Sequence, residues 1–540
     1  VANYETQYTD KEIAELIRTV CPMCLDRVEN CRNAAIDCLC HLSSLSDKLC
    51  DLMVTADVMT PIVAAFNQYF VADNWLTPAG KHQPSALVPQ IYINLCRLLT
   101  NLCGTSDKAL NVFNTSNVTQ ILVNGLNVGE TNIEVAIASA QCLSVVGEEN
   151  QIPALLVPEN LDVIKSLLIK LPENSSQTHL SLLTAFIGHN MGIGSDSKAL
   201  EFTFALIDNA LSAQCLPQIV DFAQNIQQFV DTEKDIDCLK QNYFDVKNLV
   251  LAKRVALELI TNITGADGSA GSDADDDDQD MDCDDDMEAS DGDDGDSNAN
   301  NGDISDTTAP EVSTISPELE AIIIGKGLLA KIGDHLCALD GQLKDKLLLH
   351  GFGAEIVNCI ESIQLCSLTC VHNLVACISP QTLTIGDQLW KNIYHMVFDG
   401  STGGQLLVEE ATNTIRALIA RHPTLTLTGD ELDRLCAHCQ TVAAAAPGVG
   451  SIAVKINVIN VLSVCGQRSP DPAFVERVAA LLLTGVESER DLTVRAELFD
   501  ALIDVFSEDH KTDSIAVKLD LIKRMKAAAV LFRKEVCIEC

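Results

Sequence analysis

The 540-residue sequence predicts an all-α protein built from stacked helical repeats, and three observations carry that expectation. Hydrophobic residues make up 47% of the chain but aromatic residues only 4%, a balance that suits helix-on-helix packing better than an aromatic, β-branched sandwich. A block of the sequence recurs without gaps. Short spacers rich in Pro or Gly separate apolar stretches that are too long to be strands.

Taken in order, the first half shows the repeat most plainly. Asp47–Val63 aligns on Asp107–Val123 at an offset of 60, matching Asp47/Asp107, Lys48/Lys108, Thr55/Thr115, Val58/Val118 and Val63/Val123. A weaker copy lies between Asn150 and Ile169, 43 residues further on. Val71–Pro89, with Trp75, Pro78, Gly80, Pro84 and Pro89, reads as a loop inserted in the first interval. Without it the period falls near 40 to 45 residues, the armadillo/HEAT range. Each unit closes with a strongly apolar helix: Ala34–Leu42, Leu95–Cys103, Ala138–Val146, Leu182–Met191 and Ala256–Ile263.

Gly265–Asp306 breaks this rhythm. It holds 18 Asp and Glu and no Lys or Arg, so it accounts for 18 of the 40 surplus negative charges and leaves 22 on the rest. Such a stretch cannot bury enough surface to offset ordering entropy, and is expected to be a disordered loop. Helical windows then resume at Leu319–Leu339, Glu355–Ile378, Gln388–Phe398, Leu406–Arg421, Leu432–Ala446, Ile452–Cys465, Ala473–Gly485, Leu492–Phe506 and Ile515–Val530. The expected organisation is an armadillo-like half over about 1–264, an acidic loop over 265–310 and a HEAT-like half over 311–540, together a superhelical solenoid.

A net charge of −40 and a pI near 4.4 argue against direct nucleic-acid binding. No uninterrupted apolar run reaches the roughly 18 to 20 residues of a membrane helix, and no membrane role is expected. The 22 cysteines are scattered through apolar stretches, which fits a reduced, intracellular protein better than a disulfide framework. Three Cys-x-x-Cys pairs, Cys21/Cys24, Cys436/Cys439 and Cys537/Cys540, lie far apart, and i, i+3 cysteines on helices read as small buried apolar residues rather than zinc ligands. Gly400–Gly404 lacks the Lys of a phosphate loop, and no nucleophile elbow is present. Asp275, Asp276, Asp277, Asp278, Asp284, Asp285 and Asp286 offer hard oxygen ligands, but no register supplies the Gly and terminal Glu of an EF-hand. Their expected use is as a spacer or as an electrostatic lure for a basic partner. A non-enzymatic protein without metal or cofactor is the expectation.

The repeat register also places His41, Asn101, Ser144, Asn190 and Asn262 at equivalent points on successive final helices, at intervals of 60, 43, 46 and 72. In armadillo proteins an Asn here projects into the groove, where one amide both donates to and accepts from the main chain of an extended peptide. These five residues are the candidate cargo-binding groove. The alternative is that each caps or back-bonds its own helix.

Met53-Val54-Thr55, Asp57, Met59-Thr60-Pro61, the Thr100-Asn101-Leu102-Cys103 helix end, Ala256–Asn262, the acidic insertion after it and Ala496–Phe506 resemble the symportin family along nearly the whole chain. These are armadillo/HEAT adaptors that carry newly made ribosomal proteins into the nucleus. The resemblance implies, as cargo, the two basic large-subunit ribosomal proteins that accompany 5S ribosomal RNA. It also implies shuttling between cytoplasm and nucleus, and a nuclear-import receptor that reads a basic N-terminal signal. No basic stretch precedes Lys11, so that signal is expected outside this chain. The alternative reading is a cytoplasmic armadillo-type scaffold with unrelated partners.

Overall fold

The computed structural model describes residues 9–266 and 315–539, apart from residues 73–74, 77–84, 86, 128–131, 149, 151, 193–196, 233–235, 337–338, 384–386, 399–404, 423–424, 426, 446–448 and 508–511. The acidic residues Asp275–Asp278 and Asp284–Asp286 lie outside them. Packing divides the chain into two units. Residues 1–260 and 326–368 form the first, and residues 261–325 and 369–540 the second. Residues 326–368, beyond the acidic segment in sequence, are held in the first unit by Lys326 and Lys331 on Asp208 and by Lys247 and Tyr243 on Glu355.

The first half runs through α1 (Asp10–Val20), α2 (Glu29–Ser43), α3 (Asp47–Thr55), α4 (Met59–Phe66), α5 (Leu87–Thr105), α6 (Asp107–Thr115), α7 (Val118–Leu126), α8 (Ile133–Val146), α9 (Pro158–Leu168), α10 (Ser175–Asn190), α11 (Ser197–Ser212), α12 (Leu216–Thr232) and α13 (Ile236–Ala266). The aligned blocks fold alike: α3 and α6 have the same bounds shifted by 60, and each leads through a second short helix to a long one, α5 or α8. In the third copy a 3-10 turn, Pro153–Leu156, replaces the first helix, and α9 and α10 follow. The second half runs through α14 (Pro317–Gly325), α15 (Leu328–Gly333), α16 (Gly341–Leu347), α17 (Gly351–Cys377), α18 (Asp387–Phe398), α19 (Gln405–Arg421), α20 (Gly429–Ala445), α21 (Val449–Arg468), α22 (Pro472–Ser488), α23 (Leu492–Val505), α24 (Asp513–Lys518) and α25 (Leu521–Glu539). Here helices alternate as antiparallel-type pairs, and α19, α21 and α23 pack side by side.

Local chemistry sets the helix ends. Thr9 and Glu12 make a capping box at α1, while Asn174, Asp340, Asp471 and Asp491 accept first-turn N–H groups of α10, α16, α22 and α23. Pro158 and Pro472 open α9 and α22, where the missing N–H costs nothing. Three expected boundaries shift. Pro89, expected in a loop, sits in the first turn of α5, where proline is tolerated. Leu319–Leu339 breaks at Gly327, whose φ of 60° ends one helix and starts another. Ile515–Val530 breaks at Asp520, φ 51°, between α24 and α25.

The long helices α2, α5, α8 and α10 pack consecutively and hold the core of the first unit. Ile91, Leu95, Leu98, Leu99 and Leu102 of α5 are fully buried, each contributing about 1.5 to 3 kcal/mol. Between α5 and α8 a Tyr92 hydroxyl meets Ser139 Oγ at 2.7 Å, and Gly125 of α7 comes so close that a Cβ there would strike both oxygens. α17 has the length and hydropathy of a membrane-crossing helix, yet Leu368, Cys370, Val371, Leu374 and Val375 are fully buried and Glu355, Glu361 and His372 interrupt it. It is a core helix of the fold.

Candidate functional site

The final helices of successive repeats converge on one cleft in the first unit, with a volume of about 250 Å³. α5 supplies Arg97, Thr100 and Asn101, α8 supplies Gln141 and Ser144, α10 supplies His179, and α13 supplies Arg254 and Glu258. Of the five ladder residues, Asn101 and Ser144 line it. Asn101 donates from Nδ2 to Ser43 Oγ at 2.8 Å, and Ser43 passes the bond to Cys40 O. Asn190 donates to Ser144 O at 3.2 Å, and Ser144 Oγ back-bonds to Gln141 O. His41 is exposed with Nδ1 at 2.8 Å from Asp37 O, and Asn262 is half-buried on α13. The amides of Asn101 and Asn190 therefore tie α5 to the end of α2 and α10 to the end of α8, and of the two Asn101 also lines the cleft.

Residues one turn earlier in the same register shape the cleft, and the sequence reading passed over them. Four positions before Asn101 and Asn262 stand Arg97 and Glu258, which both line the cleft, whereas Asp37, four before His41, does not. Arg97 is exposed and has no hydrogen-bond or ion-pair partner among the described residues. Arg254 holds Glu258 at 2.7 Å. His179, fully buried, places Nδ1 2.9 Å from Asn248 Oδ1, and Asn248 in turn donates to Ser176 Oγ. Burial pushes its pKa down to about 4 despite that bond, so the ring is neutral at neutral pH, with the proton on Nδ1. Its Nε2, a lone pair, has no partner among the described residues. An i−4 search from each ladder residue was the signal that would have found Arg97 and Glu258; His179 carries no comparable mark in the sequence.

Elsewhere the chemistry is quiet. Cys21 and Cys24 are buried, and burial pushes their thiols up to about 11 and about 12, so both stay protonated and behave as apolar side chains. The side chains of Cys439, Cys537 and Cys540 lie outside the described residues.

Residues 317–537 match the family described as SYO1-like, TPR repeats. The proteins named HEAT repeat-containing protein 3 from Homo sapiens and Mus musculus are each 21% identical to this chain, over 97% of it and 83% of their own length. Both comparisons point the same way as the resemblance to the symportin family seen in the sequence. A crystal structure of an engineered protein covers 92% of this chain and 99% of its own at 10% identity, but its TM-score of 0.35 is too low to support an argument. The similarity to HEAT repeat-containing protein 3 runs along nearly the whole chain, and the helical-repeat architecture is carried by the packing described above. The stretch matched by the SYO1-like model, 317–537, coincides with helices α14 to α25.

Proposed function

We propose that this protein is a non-enzymatic transport adaptor and chaperone. In this reading it binds newly made basic ribosomal proteins of the large subunit, the pair that accompanies 5S ribosomal RNA, and escorts them from cytoplasm to nucleus. The observation that supports it most is the SYO1-like match over 317–537 with similarity to HEAT repeat-containing protein 3 along nearly the whole chain, joined to a cleft built from the long helices of consecutive repeats. An extended cargo segment would cross α5, α8, α10 and α13, meeting side-chain amides and hydroxyls suited to main-chain groups. The acidic surplus, 40 charges over the chain, would screen the cargo's RNA-binding cations. A nuclear-import receptor would carry the loaded protein into the nucleus.

Titration of the purified chain with each of the two ribosomal proteins, with an unrelated basic protein as control, tests this reading. Saturable binding selective for that pair, weakening with salt as exposed charge pairs are screened, is the expected result. Binding of unrelated partners without regard to charge, and none of the pair, would favour the cytoplasmic scaffold.

A further inference from the structure

The cleft is an exception to the chain's charge. The protein carries a net of −40, yet two guanidinium groups and one carboxylate line this space. Arg254 is occupied by Glu258, which leaves Arg97 as a cation facing solvent without an ion-pair or hydrogen-bond partner among the described residues. Glu134 and Glu355 lie near enough for their carboxyls to feel Arg97, but neither forms an ion pair with it, and Glu355 is taken by Lys247 and Tyr243. In the same wall the buried imidazole of His179 offers a lone pair that nothing among the described residues satisfies. A buried acceptor without a donor is costly, and such groups mark places where a ligand completes the bonding.

We infer that this cleft is a specificity pocket for an acidic side chain carried within the otherwise basic extended segment. The Asp or Glu carboxylate pairs with the Arg97 guanidinium, and a neighbouring main-chain N–H donates to Nε2 of His179. An arginine fork suits a carboxylate better than a lone lysine would, because two parallel N–H groups match two oxygens. A polyanion is a poorer occupant, since the surrounding chain repels extended negative charge while a single carboxylate flanked by cations is not repelled. Recognition would then set the register of the segment: one acidic residue at Arg97, with basic residues on either side facing the acidic surface. This inference rests on the groove reading above.

A set of blocked, fluorescein-labelled twelve-residue peptides tests it with the full chain. All share one host of Lys, Ser and Leu, and differ only in a central Asp, Asn or Lys. Fluorescence anisotropy should give the Asp peptide about tenfold tighter binding than the Asn peptide, the scale of one charge-assisted hydrogen bond. R97Q should abolish that preference, R97E should reverse it toward the Lys peptide, and R97K should restore part of it. Because Arg97 is exposed, these variants should keep the parental helical circular dichroism. Equal affinity for the Asp and Asn peptides, or a preference that survives in R97Q, would overturn the pocket while leaving the groove intact. If no peptide of the set binds, the groove reading fails, and the pocket with it.

Discussion

In the first unit Asn101 and Asn190 tie each long helix to the end of its predecessor with a single neutral amide bond. The second unit does the same task with arginine. Arg421 at the end of α19 donates to Val375 O, Ala376 O and Ile378 O at the end of α17, and Arg468 at the end of α21 donates to Ile419 O, Ala420 O and His422 O at the end of α19. The two arginines stand 47 residues apart, one repeat. Helix C-termini leave carbonyls unpaired and partially negative, and a guanidinium satisfies several while also offsetting the dipole. A neutral amide does less for the helix end but leaves the adjacent surface polar and uncharged. The difference teaches how one architecture can make a firm joint in one unit and a binding edge in the other. The first unit also has a buried cationic clamp: Lys253, fully buried, donates to Ala210 O, Leu211 O and Ala213 O at the end of α11.

Removing that clamp is the harshest way to break the comparison. Lys253→Met leaves two buried carbonyls and one part-buried carbonyl without their donor, and with each buried orphan costing about 1 to 3 kcal/mol a loss of about 2 to 5 kcal/mol is expected. Hydrogen exchange should show the opening at α11 and the adjoining part of α13. A variant as stable as the parent would mean that water or a shifted side chain serves those carbonyls, and that cationic capping is not the unit's weak point.

Acid should discriminate next. His179 is fully buried and His335 half-buried in the first unit, and loss of hydration lowers each to about 4 from an ordinary value near 6.5. Between those values the unfolded chain binds more protons than the folded one, so stability is intact above about pH 6.5 and falls as pH drops toward 4. At pH 5 each histidine should cost on the order of 2 kcal/mol. The check is the midpoint of urea unfolding from pH 7 to 5 for the parent and for His179→Gln, with the variant losing less. An unchanged pH slope would show that the ring is charged or solvated in the fold.

Much of this architecture can be read from the chain. The α3 and α6 blocks share seventeen aligned positions because both must bury the same helix face, and apolar periodicity reports burial directly. The windows for α17, α19, α21 and α23 appear for the same reason. What periodicity does not report is the partner of a polar side chain more than 40 residues away. Lys253 in a helical pattern looks like a solvated lysine, and Arg97 looks like a charge on an exposed stripe. Asn101 and Asn190 were visible through their register, but register alone cannot tell an amide turned to a neighbouring helix from one turned to a ligand. The unit division escapes notice for a related reason: composition changes at Gly265, while packing follows the contacts of Asp208 and Glu355 with residues beyond it.

The arginine clamps should give a smaller effect than Lys253. Arg421 and Arg468 sit partly in solvent, so water can replace some of their bonds, and Arg→Met at either is expected to cost about 1 to 2 kcal/mol. Being a repeat apart with no shared carbonyl, the two losses should add. Denaturation of the single and double variants checks this. Strong non-additivity would mean that the helix ends are coupled through α19 and that the second unit is stiffer than a sum of joints.

The smallest expected effect also decides most about the groove. In the structure the Nδ2 groups of Asn101 and Asn190 are committed to Ser43 Oγ and Ser144 O, so Asn→Ala at either should cost about 0.5 to 1.5 kcal/mol of stability. That differs from a ladder whose amides serve only a ligand, where stability would be untouched. Asn101 also lines the cleft, whereas Asn190 does not, so the two changes should diverge in binding. N101A should weaken capture of the Asp-centred peptide by several-fold, with N190A changing it little, because the second amide acts at a helix joint outside the cleft. Thermal unfolding and anisotropy on the same samples separate the two quantities. If N101A and N190A leave stability unchanged and weaken binding equally, the amides turn outward in solution, the neutral joints are not joints, and the contrast with the arginine-clamped unit becomes one of ligand contact rather than of helix capping.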